Sequence, residues 1–264
     1  MYPKIVKTSA YGRVYEVEKG IFFPSVTTVL KYGLPTPEFL MKWMIEQSGG
    51  SYEKHLHHSG EASEIGTTIH KLIERIISGE QIEISDNPLE HVRGRGYYPT
   101  YNTSLAIRKG LQSFMAFWGN NKPEVEDIEV LLYSTNQYEG QYMFPFCGRC
   151  DLIAKLNGTR WLLDFKTSKQ VKDVLNYKLQ LTMYTMLWNE LHPDSPIEKM
   201  GIVWCKKDFR AGSPPKSVLD PIEYKYDPKL VHNVYNIFQE TYDGFDLARP
   251  RPKKEVPRIF SLAE

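Results

Sequence analysis

Residues 148–166 read GRCDLIAKLNGTRWLLDFK and predict a tight β-hairpin, from which the rest of the fold can be built outward. The turn is Asn157-Gly158, because both positions of a two-residue type I′ turn must tolerate a positive φ angle. With that turn, Asp151 is predicted to face Asp164, with Cβ atoms roughly 4.5–5.5 Å apart. Lys166 lies two residues beyond Asp164 and therefore projects from the same face of its strand.

Two facing carboxylates repel each other unless positive charge lies between them. A divalent cation meets this need, and hard oxygen ligands suit Mg²⁺ or Mn²⁺. The alternative is a surface hairpin whose solvated aspartate pair is neutralised by Lys166 and Arg160. Apolar residues on both faces instead predict a strand pair buried on both sides, where charges rarely lie without a partner or a metal. These residues are Leu152, Ile153, Ala154, Trp161, Leu162, Leu163 and Phe165.

Composition is that of an ordinary globular protein, with 264 residues that suit one large domain or two small ones. The net charge of +1 does not by itself indicate a nucleic-acid-binding protein. Aromatic residues make up 13% of the chain and could serve as core or as stacking surfaces for bases. Basic residues also cluster locally, and each cluster could equally be a solvated face. The clusters contain Arg93, Arg95, Arg108 and Lys109, then Lys199, Lys206, Lys207 and Arg210, then Arg249, Arg251, Lys253, Lys254 and Arg258.

The three cysteines, Cys147, Cys150 and Cys205, are too few for a disulfide framework and fit a reducing compartment. The spacing of Cys147 and Cys150 suggests zinc or redox chemistry, but a second pair is missing and the motif leads into a strand. An iron–sulfur cluster, which needs four cysteines, is not expected. The first residues lack the apolar core of a signal peptide, and no apolar run is long enough to span a membrane. We therefore expect a cytoplasmic protein with no membrane contact.

Hydrophobic periodicity predicts an α/β fold, with a mixed central β-sheet flanked by helices, in one domain over residues 1–264. A β-hairpin over 1–24 and helices starting at Ser25 and Pro37 would add to its N-terminus. Polar residues 48–60, with histidines at 55, 57 and 58, are interpreted as a loop, and 79–103 as a long irregular excursion. The predicted helices of the core are 61–78, 104–121, 171–191 and 228–242, and the strands are 125–134, 142–154, 160–166, 200–205 and 222–226.

Further polar residues could complete a site around the hairpin. His70 and Glu74 lie one helical turn apart, either as a surface pair or with His70 as a nitrogen ligand of a metal ion. Gln180 and Tyr184 share a helix face in the same way, either at the edge of the core or beside the metal-bound group. Glu129 either is an exposed strand-end residue or adds a carboxylate.

Four motifs in order resemble the PD-(D/E)XK nuclease superfamily, in its RecB-like exonuclease branch. They are the Gly-x-x-x-His of residues 66–70, the Gly-x-x-Asp of 148–151, the Asp-x-Lys of 164–166 and the Gln-x-x-x-Tyr of 180–184. Residues 24–30, PSVTTVL, also resemble the N-terminal part of phage exonucleases and of the mitochondrial genome maintenance exonuclease.

The resemblance implies a restriction-endonuclease-like core over about 61–245 with N-terminal helical additions, followed by a flexible basic tail over 249–264. It implies one or two Mg²⁺ or Mn²⁺ ions held by His70, Asp151, Asp164 and the Phe165 carbonyl, with Lys166 as the catalytic lysine. Gln180 and Tyr184 would lie beside the site, and Glu74 and Glu129 are additional candidates. The residues expected to contact nucleic acid are Ser25, Thr27, Thr28, Arg93, Arg95, Thr167, Ser168, Lys206 and Lys207.

The function that these residues indicate is metal-dependent DNA exonuclease activity in recombination, repair or replication. The expected substrate is single- or double-stranded DNA with free ends, and a recombination or single-strand-binding protein is a candidate partner. A phage-encoded enzyme acting in the host cytoplasm would fit this expectation. Two alternatives stay open, a non-catalytic nucleic-acid-binding protein with the same fold and a structure- or sequence-specific endonuclease.

Overall fold

A five-stranded mixed sheet forms the centre of the fold, in the order Ile222–Tyr224, Lys199–Trp204, Thr159–Lys166, Cys147–Leu156 and Glu124–Tyr133. The computed structural model describes residues 4–9, 12–36, 41–42, 45–46, 52–83, 101–138, 141–210 and 213–242. The sheet strands are β4 (Glu124–Tyr133), β7 (Cys147–Leu156), β8 (Thr159–Lys166), β9 (Lys199–Trp204) and β10 (Ile222–Tyr224). Short strands β5 (Gln137–Tyr138) and β6 (Gln141–Tyr142) form a separate two-stranded ribbon.

Helices cover both faces of the sheet, which confirms the predicted mixed α/β fold with a restriction-endonuclease-like core. Helices α1 (Val26–Gly33), α4 (Leu175–Leu191) and α5 (Pro228–Tyr242) pack on one face through a core that includes Leu162 and Ile202. Helices α2 (Tyr52–Ile77) and α3 (Tyr101–Asn121) pack on the other face, against residues such as Leu163 and Val203. Every charged side chain held between these layers therefore needs a partner or a ligand.

The β7–β8 hairpin has the predicted turn and register. Asn157 and Gly158 have φ angles of 51° and 80°, as the type I′ turn requires. Facing pairs run from Leu156 and Thr159 at the turn to Leu152 and Leu163 at the far end. Arg160 does not lie near the aspartates, because its guanidinium pairs with Glu126 at the turn end of the sheet.

Strands β8 and β9 are parallel and are joined through α4, so both end at the same edge of the sheet. Lys166 is paired with Trp204, and the backbone N–H of Cys205 donates to the Lys166 carbonyl over 2.9 Å. This edge is where the sequence places the Asp-x-Lys motif.

The N-terminal region contributes a three-stranded sheet, β1 (Lys4–Ser9), β2 (Gly12–Glu18) and β3 (Ile21–Pro24), besides the expected helix α1. Ser25 caps α1, since its hydroxyl accepts from the Thr28 backbone N–H over 3.0 Å. Residues 41–42 and 45–46 are helical, within the predicted second helix.

The prediction of a polar loop over residues 52–60 was wrong, because these residues belong to helix α2. The three histidines obscured the helix, since that segment has no apolar periodicity of its own and continues the amphipathic part that follows. Helix α4 also starts at Leu175, after Asp173 adopts a φ of 56°, and not at residue 171. Arg93, Arg95 and the tail over 249–264 lie outside the described residues. None of the described helices is long and apolar enough to cross a membrane.

Candidate active site

The hairpin ladder ends just before its two aspartates. The last facing pair is Leu152 with Leu163, and Asp151 and Asp164 come next on their strands. The freed backbone N–H of Phe165 donates instead to Asp151 Oδ2 over 2.7 Å. Asp151 is 8% exposed and Asp164 only 2%, which rules out a solvated surface pair. The two carboxylates therefore lie at a buried point where β7 and β8 diverge.

His70 reaches Asp151 from helix α2, so it is not simply a surface partner of Glu74. His70 Nδ1 lies 3.4 Å from Asp151 Oδ2, and its ring packs edge-on against Phe165 with centroids 5.8 Å apart. Burial would lower the pKa of His70, but attraction and hydrogen bonding by Asp151 outweigh it and raise that pKa. The neighbouring Ile69 is fully buried and anchors this turn of the helix in the core.

Glu129 on β4 completes a cluster with His70 and Asp151. One ligand atom from each of the three lies within 4.8 Å of the other two. Glu129 falls opposite Asp151 in the β4–β7 register and has a φ of 52°, a left-handed conformation that is costly for a residue with a Cβ atom. Burial, with repulsion from Asp151 and then from Glu74, raises the pKa of Glu129 to about 7. Arg149 partly compensates, with its Nη1 3.7 Å from Glu129 Oε2.

Asp164 and Lys166 form a second unit, held by Gln180 on helix α4. Lys166 Nζ lies 2.6 Å from Asp164 Oδ2 and donates to Gln180 Oε1 over 3.1 Å. The Gln180 amide nitrogen donates to Asp164 Oδ1 over 3.1 Å and to the Tyr184 hydroxyl over 3.3 Å. One glutamine thus fixes the catalytic lysine candidate and its aspartate together.

Ionisation in this unit is set by burial and by its neighbours. Burial raises the pKa of Asp164 to about 6 against the attraction of Lys166, and Asp151 adds repulsion. Burial would lower the pKa of Lys166, but the carboxylates of Asp164 and Asp151 raise it overall, which keeps the ammonium charged. For Asp151, His70 and Lys166 outweigh the effect of burial and lower the pKa.

Tyr177 is a site residue that the sequence reasoning did not identify. Lys166 Nζ lies 5.0 Å from the centre of the Tyr177 ring, within reach of a cation–π contact. The Tyr177 hydroxyl is hydrogen bonded to Ser168 Oγ over 2.6 Å. The available signal was helical spacing, because residues 177, 180 and 184 share one face of α4.

Two motif glycines allow close packing around the site. A Cβ atom on Gly148 would lie 2.4 Å from Tyr184 Cε1 and 3.2 Å from Val26 Cγ2. A Cβ atom on Gly66 would lie 3.3 Å from Thr167 Oγ1. Gly148 is therefore explained by sterics, because it lets α4 approach β7, whereas at Gly66 a Cβ atom would require only a small shift of the Thr167 side chain.

The donor set fits a divalent metal ion. An imidazole nitrogen and two carboxylates from His70, Glu129 and Asp151 converge within coordination reach. Asp164 Oδ2 is buried and, among the described residues, accepts no hydrogen bond of good geometry, although Lys166 is its ion-pair partner. Glu74 is exposed and acts on Glu129 through its charge. The roles of Glu74 and of the Phe165 carbonyl stay predictions.

The described residues that were predicted to contact nucleic acid lie outside this cluster. Ser25 and Thr28 are buried, whereas Thr27 is exposed. The Ser25 and Thr28 hydroxyls are hydrogen bonded to each other, and the Thr28 hydroxyl donates to the Arg13 carbonyl. Their contact with nucleic acid stays a prediction. Thr167, Ser168, Lys206 and Lys207 follow β8 and β9 at the site edge.

All three cysteines are free, buried thiols. Burial raises the pKa of Cys147 to about 12 and raises that of Cys150 well above its usual range. Protonated thiols away from solvent are poor metal ligands and poor nucleophiles. Cys147 and Cys150 therefore contribute to packing of the hydrophobic core.

A mixed sheet whose diverging strands present buried acids beside a lysine defines a restriction-endonuclease-like core. The sequence model of the PD-(D/E)XK nuclease superfamily matches residues 41–253. The chain belongs to the PD-(D/E)XK nuclease superfamily, whose members cleave nucleic acid and use divalent metal ions. No curated protein matches the chain. A solved structure titled "Crystal structure of SSO0001" is 19% identical, covers 66% of this chain and 83% of its own, and has a TM-score of 0.31.

Proposed function

We propose that the protein is a divalent-metal-dependent DNA exonuclease of the RecB-like branch, formed as a single nuclease domain over residues 1–264. The observation that carries this proposal is that a cluster of potential metal ligands lies next to a hydrogen-bonded lysine. The His70–Glu129–Asp151 cluster adjoins the Asp164–Lys166–Gln180 unit, and Asp151 links them through the Phe165 N–H and through its charge. Metal ligands beside a held ammonium group can supply the charge stabilisation that speeds hydrolysis of a phosphodiester.

His70, Glu129 and Asp151 would hold the ion, with Asp164 beside it. When bound, Mg²⁺ or Mn²⁺ lowers the pKa of its water and offsets the charge on the phosphate oxygens. The carboxylates of Glu129 and Asp164, with pKa values of about 7 and about 6, would be held ionised by the cation.

Lys166 would act on the charge that develops as the phosphodiester is cleaved. Its ammonium is held by Asp164, by the Gln180 side-chain oxygen and by the ring of Tyr177. A fixed positive group costs no reorganisation during the reaction, so it stabilises the transition state more than mobile water does. Gln180 and Tyr184 position this group and are not themselves required to transfer a proton.

The motif order and the Gln180–Tyr184 helix support the exonuclease branch over a sequence-specific endonuclease. The intact Asp164–Lys166 pair supports catalysis over a purely binding role, because a buried ion pair is costly and this one adjoins the clustered metal-ligand candidates. Recombination, repair or replication is the process that this activity would serve.

End-labelled single- and double-stranded DNA, incubated with Mg²⁺, Mn²⁺ or EDTA, tests the proposal. We expect progressive shortening from an end in either metal and none in EDTA, while covalently closed circular DNA stays intact. Asp164→Asn should abolish cleavage, and Asp227→Asn should not, because Asp227 is ion-paired with Lys178, which lies on a different face of α4 from Gln180. Cleavage of closed circles would favour an endonuclease, and binding without cleavage in either metal would favour the non-catalytic alternative.

A further inference from the structure

The segments that leave β8 and β9 run side by side from the edge that holds Lys166. Lys166 and Trp204 are paired at the ends of these strands, and Lys169 and Lys207 each lie three residues further on. Trp204 Nε1 donates to the Ser168 carbonyl over 2.9 Å, which joins the two segments. An extended chain covers at most about 10 Å in three residues, so both lysines lie close to the candidate active site.

The segment after β9 is also fixed to the body of the protein. The fully buried Ser113 of α3 donates its hydroxyl to the Lys206 carbonyl over 2.8 Å. The side chain of Lys206 has its own partners, with Nζ 4.6 Å from the Trp204 ring centre and 4.0 Å from Asp208 Oδ1. The Lys206 ammonium therefore already has an aromatic partner and a carboxylate partner within the protein.

Lys207 differs from its neighbour because no carboxylate lies within 4.0 Å of its ammonium in the described part of the chain. Its side chain is nevertheless half-buried, whereas that of Lys169 is exposed. Burial lowers the pKa of Lys207 against the opposing attraction of Asp208. The charge of Lys169 lowers this pKa as well, and Glu61 opposes it more weakly. A partly desolvated cation beside a second cation is unfavourable unless an anion joins them.

We infer that Lys207 and Lys169 form a binding subsite for a backbone phosphate of the substrate strand, next to the phosphate that is cleaved. This inference rests on the proposed function. Successive phosphates are spaced by about 3.4 Å of helix axis per strand, so the subsite holds a phosphate within about three nucleotides of the cleaved bond. Such a contact carries no base preference and sets the register of the strand against His70, Asp151 and Lys166.

Salt dependence of binding tests the subsite directly. Binding of a fluorescein-labelled single strand is measured by fluorescence anisotropy in EDTA, which keeps the strand intact, between about 50 and 200 mM KCl. Lys207→Gln should weaken binding and reduce the slope of log affinity against log salt by about 0.7, and Lys169→Gln/Lys207→Gln by about 1.4. Lys199→Gln is the matched control, because Lys199 is ion-paired with Glu223 at the opposite end of the same strand.

A second arm locates the contact on the strand. Single neutral methylphosphonates are placed at successive positions from the cleaved end, and KM is measured in Mn²⁺. At one position the methylphosphonate should raise the KM of the wild type. The same substitution should leave the KM of Lys207→Gln unchanged, because that variant already lacks the phosphate contact. An unchanged salt slope in Lys207→Gln, or equal methylphosphonate effects in both proteins, overturns the subsite while wild-type cleavage still upholds the proposed function. A wild type that neither binds nor cleaves DNA overturns both.

Discussion

The backbone N–H of Phe165 donates to Asp151 Oδ2 over 2.7 Å, in place of the next rung of the β7–β8 ladder. A side chain of one strand therefore satisfies the backbone of the other at the point where the strands diverge. The divergence opens space for His70 from the helix layer on one face, while Asp164 stays in contact with Gln180 from the layer on the other face. Both helical layers can thus contribute to one site.

Removing the ammonium group of Lys166 should impair catalysis with little effect on folding. We expect Lys166→Met to lower the single-turnover rate by at least about 10²–10³, the loss typical of a preorganised group that stabilises a transition state. Manganese binding, measured by calorimetry, should persist, because Lys166 is not among the clustered ligands. Lys199→Met is the control, and a wild-type rate in Lys166→Met would remove the lysine from the mechanism.

The Gln180→Leu variant should show whether Gln180 positions Lys166 and Asp164 or contacts the substrate. The variant keeps a similar volume but loses the hydrogen bonds to Lys166 and Asp164, so kcat should fall about 10–100-fold with KM nearly unchanged. Steady-state kinetics on an end-labelled strand measures both constants. Gln112→Leu on the exposed face of α3 should behave as the wild type. A rise in KM alone would place Gln180 in substrate contact instead.

Glu129 should make the metal-free protein less stable as pH rises. Its pKa is raised from 4.5 to about 7 in the folded state, so the folded state binds this proton more tightly than the unfolded state. The stability it contributes is complete below the unfolded pKa and is lost as pH rises through about 7. We therefore measure Tm in EDTA at about pH 5 and at about pH 8. The Tm of Glu129→Gln minus that of the wild type should be larger at the higher pH. Equal Tm differences at both pH values would contradict the buried, repelled carboxylate.

Gly148→Ala should destabilise the fold because the new methyl group would overlap Tyr184. Overpacking of this kind costs about 1–3 kcal/mol in the free energy of unfolding, measured by urea denaturation. Gly119→Ala offers the contrast, since nothing lies within 4 Å of a Cβ atom there and the position is helical. That variant should gain about 0.5–1 kcal/mol. Equal stabilities for the two variants would rule out the steric reason for the Gly-x-x-Asp motif.

The three cysteine thiols should not react with Ellman's reagent in the folded protein. Each is buried, and burial raises each pKa, so little thiolate is available. Addition of guanidinium chloride should release three equivalents of thionitrobenzoate. Rapid reaction of one thiol under native conditions would show that the segment carrying that cysteine opens to solvent.

The turn and register of the hairpin could be predicted because Asn157-Gly158 and the strand alternation are local properties of the chain. The pairing of Lys166 with Asp164 follows from the same period of two. The predicted facing of Asp151 and Asp164 was incomplete, since local pattern cannot show that the ladder ends one pair earlier. The strand divergence depends on packing from both helix layers, which the hairpin sequence does not encode.

Glu129 shows a second limit of sequence reasoning. Its approach to His70 and Asp151 requires a left-handed backbone within β4, which strand propensity argues against. Tyr177 was missed for a different reason, because an aromatic residue in the first turn of an amphipathic helix is usually explained by core packing. The decisive contacts of Glu129 come from an element far away in the chain, the helix that carries His70, whereas those of Tyr177 come from residues 9 and 11 positions earlier.

The two-residue turn at Asn157-Gly158 governs chemistry that occurs about 20 Å away along β8. Because side chains alternate with a period of two, a loop longer by a single residue would rotate β8 by half a turn and present Asp164 and Lys166 to the α2–α3 layer. Descendants of this chain can therefore change the identity of the loop residues, but an odd change in loop length would inactivate the enzyme while the hairpin itself could still form. Whether the loop contains an even or an odd number of residues is therefore an inherited constraint on this protein, and it depends on the backbone and not on the loop side chains.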